Sequence, residues 1–445
     1  MNIVDEFETI SAIATPLGTG GVGVVRVSGD KAFEVVQKIF SKEIKEHGKI
    51  CHGWIVEDNT KIDEVILLPF KAPNSYTGED IIEIQCHGGP KVVRKILNLT
   101  LKNGARMAQR GEFTKRAFLN KKLDLSQAEA VLDIIHAKTE NFAQKSANNL
   151  SGALAKAVKE VKSSLFSLYS RIIAAVDFPE DVKEPEYSYV EEEIKTNIEK
   201  IDKILKSANA SNIMRQGIKI AIAGCPNAGK SSLFNALLNI NRAIVTEIPG
   251  TTRDIIQESI DLDGIPATLI DTAGIRDDKE VDKVEAIGIE YTKDCVENAD
   301  LILFLFDWSK GFDENDALIY EMIEEKPHIK IAAKADLAEV PNPEAINISS
   351  KTGFNIEELK EKIKETVLDK NAMETEFVTN RRQEECLQKS RNALTNALYA
   401  AQNGEIQDLI SIDIKSALLA LDEITGEVIT DEILENIFEN FCIGK

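Results

Sequence analysis

Ile218-Lys219-Ile220-Ala221-Ile222-Ala223-Gly224-Cys225-Pro226-Asn227-Ala228-Gly229-Lys230-Ser231-Ser232-Leu233-Phe234 is the stretch that decides the fold of this 445-residue chain. Ile218 to Ala223 is a short apolar run, as a buried strand is, and Ser232 to Leu238 reads as a helix. Between them lies the pattern G-x-x-x-x-G-K-S. The two glycines let backbone N–H groups turn inward around phosphate oxygens, where a Cβ would block the approach, and the helix N-terminus faces the same charge. The spacing predicts a nucleoside triphosphate site in which Lys230 reaches the β- and γ-phosphates and Ser231 holds Mg²⁺. A chance glycine loop would lack this strand–loop–helix setting.

Further elements follow in the order a GTPase domain requires. Asp271-Thr272-Ala273-Gly274 closes the apolar run Ala267 to Ile270, so Asp271 is placed to act on Mg²⁺ through water and the Gly274 N–H on the γ-phosphate. Ile329 to Ala333 runs into Lys334-Ala335-Asp336, a K-x-D in which Asp336 can accept from the N1–H and N2–H₂ of guanine; adenine offers no such pair. Ser349-Ser350-Lys351 stands where a loop touches guanine O6. Ala333 replaces the asparagine of the usual N-K-x-D, which predicts weaker nucleotide binding by about 1–3 kcal/mol with base selectivity retained at Asp336. Ile275 follows D-T-A-G where many GTPases carry a water-orienting glutamine, so another group must serve. On the residues alone Glu285 reads as a solvated helix carboxylate, Arg253 as either an arginine finger or a surface residue, and Thr252 as the Mg²⁺ ligand of the first switch.

The Pro226-Asn227 phosphate loop, the switch Gly250-Thr251-Thr252-Arg253-Asp254, the tail Phe441-Cys442-Ile443-Gly444-Lys445, Ala14-Thr15-Pro16 and Gly20-Gly21-Val22-Gly23 occur together, and over essentially the whole chain they resemble the MnmE (TrmE) family of TrmE-Era-EngA-septin-like GTPases. The resemblance implies a multidomain α/β and α protein: an N-terminal α+β, folate-binding-like dimerisation domain (1–121), a helical domain in two parts (122–214 and 373–445) and an inserted Ras-like P-loop GTPase domain (215–372). It implies that GTP lies against Asn227-Ala228-Gly229-Lys230-Ser231-Ser232, Thr246-Glu247-Ile248-Pro249-Gly250-Thr251-Thr252, Asp271 to Gly274 (with Thr272 and Ala273), Lys334, Asp336, Ser349, Ser350 and Lys351. Asn227, Thr246, the Ile248 backbone and Thr251 would ligate K⁺, which supplies positive charge where other GTPases use an arginine finger, and Glu285 would orient the attacking water. A tetrahydrofolate derivative (5,10-methylene- or 5-formyl-) would sit at Arg26, Glu83, Lys122 and Lys445. Cys442 matches a proposed reactive cysteine; as a residue it reads equally as a nucleophile or a small apolar group. The partners implied are a second copy of the chain, an MnmG (GidA)-like flavoprotein carrying FAD, and tRNA held mainly by that flavoprotein, whose wobble uridine receives an aminomethyl-type group. Arg110 stands where the family's P-G-E-F has proline.

Composition bounds the rest. A net charge of −21, with 74 Asp and Glu against 53 Lys and Arg, argues against a basic RNA-binding surface over most of the chain; a local cluster runs from Lys115 to Lys122. No apolar run approaches the roughly 18 residues of a membrane span, the first six residues lack a signal-peptide pattern, and six scattered cysteines suit reduced thiols in the cytoplasm. Ser126-Gln127-Ala128-Glu129 predicts a capping box. Leu154, Val158, Val161, Leu165, Leu168 and Ile172 predict one face of a long helix ended by Phe178-Pro179; Val190, Ile194, Ile198, Ile201 and Leu205 predict a second, and helical pattern resumes near Glu376. A ribosome-assembly or regulatory GTPase switch without modification chemistry is the competing class; such proteins add a basic RNA module, which this pattern lacks.

Overall fold

The computed structural model describes residues 8–44, 48–240, 257–271, 298–367 and 376–445. The chain divides into two units, Met1–Leu132 with Asp422–Lys445, and Asp133–Leu421.

The first unit is built on β1 (Ile10–Ile13), β2 (Gly20–Ser28), α1 (Ala32–Gln37), β3 (Cys51–Glu57), β4 (Thr60–Phe70), β5 (Ile81–Gly88), α2 (Pro90–Lys102) and β6 (Arg106–Met107). The sheet order is β3-β4-β5-β2-β1-β6, antiparallel except for the β1–β6 pair. Strand alternation puts Val25, Val27, Ile82 and Ile84 on one face, where they pack with Val36 of α1 and Ile96 of α2. The same alternation leaves Arg26 and Glu83 on the other face, directly opposite each other in the β2–β5 register. Helices α3 (Glu112–Leu119) and α4 (Leu125–Ile135) follow. The capping box of α4 lies two residues earlier than the sequence pattern suggests: Asp124 Oδ1 accepts from the Gln127 N–H at 2.9 Å, and Gln127 Oε1 accepts from the Asp124 N–H at 2.9 Å. Ser126 is instead buried inside the first turn, with its hydroxyl on Asp124.

The second unit contains α5 (Glu140–Leu150), α6 (Ala153–Asp177), α7 (Tyr187–Gln216), β7 (Ile218–Gly224), α8 (Lys230–Ile240), β8 (Gln257–Leu262), β9 (Ile265–Asp271), β10 (Leu301–Asp307), α9 (Glu314–Ile323), β11 (His328–Ala333), β12 (Ile346–Asn347), α10 (Ile356–Val367) and α11 (Arg381–Gln402). All six predicted positions of α6 are buried, and the helix stops at Asp177 with Phe178 as its cap. On α7 the buried row is Val190, Ile194, Asn197, Ile201 and Ile204, while Ile198 and Leu205 lie half-buried at its edge. The row continues through a polar residue because Asn197 Nδ2 reaches Ser164 Oγ of α6 at 2.8 Å. The six-stranded sheet runs β12-β11-β10-β7-β9-β8, parallel but for β8. Asp263-Gly264 closes the β8–β9 hairpin with positive φ at both residues, as a two-residue turn of that twist needs. That turn is held by α5: Thr139 Oγ1 donates to the Gly264 carbonyl at 3.2 Å. The chain enters the sheet through Gly217 (φ +84), where a Cβ would meet the Pro266 carbonyl at 2.7 Å. It leaves past Thr379, whose N–H reaches Ser211 Oγ at 3.0 Å and whose carbonyl accepts from Arg215 at 3.1 Å. Entry and exit of the inserted sheet therefore meet on the last turns of α7.

Helix α12 (Gln407–Thr425) leads back to the first unit, which α13 (Asp431–Glu439) and the tail complete. Leu434, Phe438 and Phe441 pack there against Leu125 and Ala128 of α4. Among the described residues no helix is long and apolar enough to cross a membrane.

Candidate nucleotide and tail sites

In the parallel sheet, β7, β9, β11 and β12 all end on one edge, so the loops after them converge there. Gly224 (φ +152) could carry no side chain, since a Cβ would lie 2.1 Å from the Leu305 carbonyl; Asn227 (φ +62) and Gly229 (φ +108) complete the turn into α8. Buried Lys230 lies across this loop, its ammonium donating to the Gly224 and Cys225 carbonyls at 2.7 and 2.9 Å. Burial, and then the neighbouring Asp316, push the Cys225 thiol up to about 12. Asp313 and Asp316 beside it form the capping box of α9. The side chains of Asn227, Ser231 and Ser232 are exposed.

The loop after β11 is tied to the phosphate loop by Lys334. Lys334 (φ +58) donates to the Asn227 carbonyl at 2.9 Å and to Asp307 Oδ2 at 2.6 Å. Burial alone would raise the Asp307 carboxyl, but Lys334 and Ser309 outweigh it and hold it below its ordinary value. Asp336 is exposed and has no hydrogen bond or ion pair among the described residues, so its carboxylate is open to a ligand. The Ala335 N–H binds the Ile348 carbonyl at 2.9 Å, joining this loop to the next. Ser349 is buried in a turn with its N–H on Phe354; Ser350 is half-buried and Lys351 exposed. Asp271 ends β9. Thr272, Ala273, Gly274, Thr246 to Thr252, Arg253, Ile275 and Glu285 lie outside the described residues.

In the first unit, Arg26 meets Glu83 Oε1 through Nε at 2.8 Å and Nη2 at 2.7 Å, and its Nη1 donates to the Gly444 carbonyl at 3.3 Å. Its guanidinium lies 5.4 Å from the ring centroids of both Tyr76 and Phe113. The tail is seated on α3: the Gly111 N–H donates to the Cys442 carbonyl at 3.4 Å and the Phe113 N–H to the Lys445 carbonyl at 3.2 Å. Two glycines make the approach close. A Cβ on Gly111 (φ +65) would lie 2.9 Å from the Phe438 ring, and one on Gly444 (φ +97) 2.2 Å from the Ile13 carbonyl. Arg110 reaches the Glu439 carbonyl at 3.4 Å, a cation at the C-terminal end of α13, where the helix supplies none of its own. Cys442 is exposed. Lys122 is also exposed, with its ammonium on the Pro73 carbonyl at 3.1 Å rather than in the Arg26–Glu83 pair.

Sequence reasoning missed Tyr76, Phe113 and Asp307. Asp307 had a signal, because it ends an apolar strand as Asp271 does; the two rings had none.

A family model described as the GTP-binding protein TrmE N-terminus matches residues 9–122, and one described as the MnmE helical domain matches residues 125–442. A Thermoanaerobacter pseudethanolicus protein named tRNA modification GTPase MnmE is 45% identical, over 99% of this chain and 100% of its own length. One of the same name from Clostridioides difficile is 42% identical, over 98% and 99%. A solved structure of Aquifex aeolicus Era is 26% identical over 40% of this chain and 66% of that one, with a TM-score of 0.28. Two family models that together span residues 9–122 and 125–442, and relatives 45% and 42% identical over nearly their whole length, show that the chain belongs to the MnmE family.

Proposed function

We propose that this chain is a K⁺-activated GTP hydrolase of tRNA wobble-uridine modification. With an MnmG-like flavoprotein carrying FAD, it adds a carboxymethylaminomethyl or aminomethyl group to C5 of U34 of certain tRNAs, using a folate-derived one-carbon unit. The observation that carries the nucleotide reading is the base loop: Lys334 fastens it to the phosphate loop, and the exposed Asp336 carboxylate has no partner among the described residues. The tRNA reading rests on family membership.

In this reading the loop N–H groups from Asn227 to Ser232 and the Lys230 ammonium hold the phosphates, and Ser231 with Thr252 holds Mg²⁺. Ser231, exposed at the start of α8, would offer a hydroxyl oxygen, which suits a hard cation. Asn227, whose side chain is exposed beside the loop, ligates K⁺ with Thr246, Ile248 and Thr251. Bound there, K⁺ supplies positive charge to the phosphate oxygens as hydrolysis proceeds. Glu285 orients water. Arg26 and Glu83 form the folate site with Lys445 and Lys122, and Glu83, with Oε1 engaged by Arg26, offers its second oxygen to a pterin edge. Cys442, exposed on the docked tail, is the candidate reactive thiol. Two copies of the chain pair in the cytoplasm.

GTP turnover in K⁺ against Na⁺, with calorimetry of 5-formyltetrahydrofolate binding, tests this. Strong K⁺ stimulation and a folate heat lost in Glu83→Ala are expected. Equal rates in both salts would remove the cation role, and the absence of a folate heat would leave a GTPase switch.

A further inference from the structure

We propose that the solvent face of α2 is a docking surface for the sugar–phosphate backbone of RNA, so that this chain grips the tRNA itself. The inference rests on the tRNA reading above and adds a contact which that reading assigns to the flavoprotein.

Charge is strongly segregated along the sequence. Residues 90–122 carry ten basic side chains and one acidic, Glu112, in a chain whose net charge is −21. Arg106 and Arg116 are engaged by Glu112, with Glu8 and Glu79 completing that network. The cations of α2 are less fully engaged. Val93, Ile96, Leu97 and Thr100 face the sheet, which turns Lys91, Arg94, Asn98 and Lys102 outward at steps of three and four. Lys91 and Arg94 have no hydrogen bond or ion pair among the described residues. Lys95 and Lys102 share a single carboxylate, Glu57, and the helix contains no acidic residue. Among the described residues, four cations therefore share one paired anion along about 16 Å of rigid helix.

The chemistry of the row selects the occupant. Protein interfaces need an apolar, desolvated centre, and the exposed positions of α2 supply none. Base stacking needs exposed aromatic rings, and α2 has none. A line of long cations is suited to a line of phosphates, contacted without regard to sequence.

The test uses the full chain, a tRNA transcript with U34, and fluorescence anisotropy between 50 and 200 mM KCl. Lys91→Glu with Arg94→Glu should bind at least about tenfold more weakly, and the slope of log affinity against log salt should be shallower by about two. Lys91→Gln with Arg94→Gln should fall between, and Lys415→Glu, an exposed lysine of α12, should match wild type. An unchanged circular-dichroism spectrum and thermal melt in all variants confirm folding of the unit that carries α2. Wild-type affinity and slope in the double reversal would overturn the proposal, as would no binding by wild type at 50 mM, or a lost flavoprotein contact with tRNA affinity intact. Nucleoside analysis of tRNA treated with wild type and flavoprotein separates the two readings. Absence of modified uridine sinks the functional reading; modified uridine with an unaffected double reversal sinks only the α2 surface.

Discussion

Lys334→Met keeps the side-chain stem and removes the ammonium that joins two loops. Two contacts are lost, one to Asn227 at 2.9 Å and one to Asp307 at 2.6 Å. Hydrogen bonds involving a charged group contribute about 1.5–3 kcal/mol. The Lys334 side chain is 32% exposed, so solvent screening lowers the portion felt by the phosphate loop to roughly 1–2 kcal/mol. That corresponds to nucleotide binding about five- to thirtyfold weaker. Among the described residues Asp307 keeps the Ser309 N–H and hydroxyl and the more distant Lys310 ammonium at 3.9 Å, so the melting temperature should also fall. Titration with a fluorescent guanine nucleotide reads the first effect and a thermal melt the second. Ala333→Asn in the same background should recover part of the affinity, because the amide can rejoin the loops. An affinity within twofold of wild type for Lys334→Met would refute the claim that this lysine holds the two nucleotide loops together.

Gly444→Ala should unseat the tail, since its Cβ has 2.2 Å to the Ile13 carbonyl, and hydrogen exchange at the Gly111 and Phe113 amides should rise; unchanged protection would count against the docking described. Mass-mapped alkylation at pH 8 should label Cys442 well before Cys86 or Cys225, whose thiols burial pushes up to about 11 and about 12; early labelling of Cys225 would contradict this. Burial alone would raise the Glu112 carboxyl, but Arg106, the Gln109 N–H and Arg116 outweigh it and depress it. A depressed carboxyl stabilises the fold above its ordinary value of 4.5, and that contribution is lost as pH falls through the folded value. Protection factors across residues 106–116 should therefore fall below about pH 4.5, and Glu112→Gln should flatten that response.

Patterns local in the chain are legible in the sequence itself. The phosphate loop is spelled by neighbours in sequence, and the α6 stripe needs only helical period, which is why all six of its positions are buried. The template misplaces the capping box of α4 because Ser126 and Glu129 fit it as well as Asp124 and Gln127 do; only backbone geometry chooses. Apolarity alone assigns Ile198 and Leu205 to the α7 core, whereas the true row passes through Asn197, satisfied from α6. Contacts remote in sequence leave no trace. The Lys334–Asn227 bond spans 107 residues and the Arg26–Gly444 bond 418, and no periodicity encodes either. The tail is visible as a motif only by resemblance, and the reason its glycine is required lies in the Ile13 carbonyl beside it.

The β8–β9 hairpin has one pinned end and two loaded ones. Its turn at Gly264 is held to α5 by Thr139, while residues 241–256 run directly into β8 and residues 272–297 leave directly from β9. Those two stretches are the ones whose sequence points to γ-phosphate sensing. Because β9 is bonded along its length to β7 and the turn is tied to α5, a displacement at the open end of the hairpin is shared between the sheet and that helix rather than taken up in a slack loop. Lengthening the Asp263-Gly264 turn by a few residues would loosen the attachment to α5 while leaving the β7–β9 ladder in place.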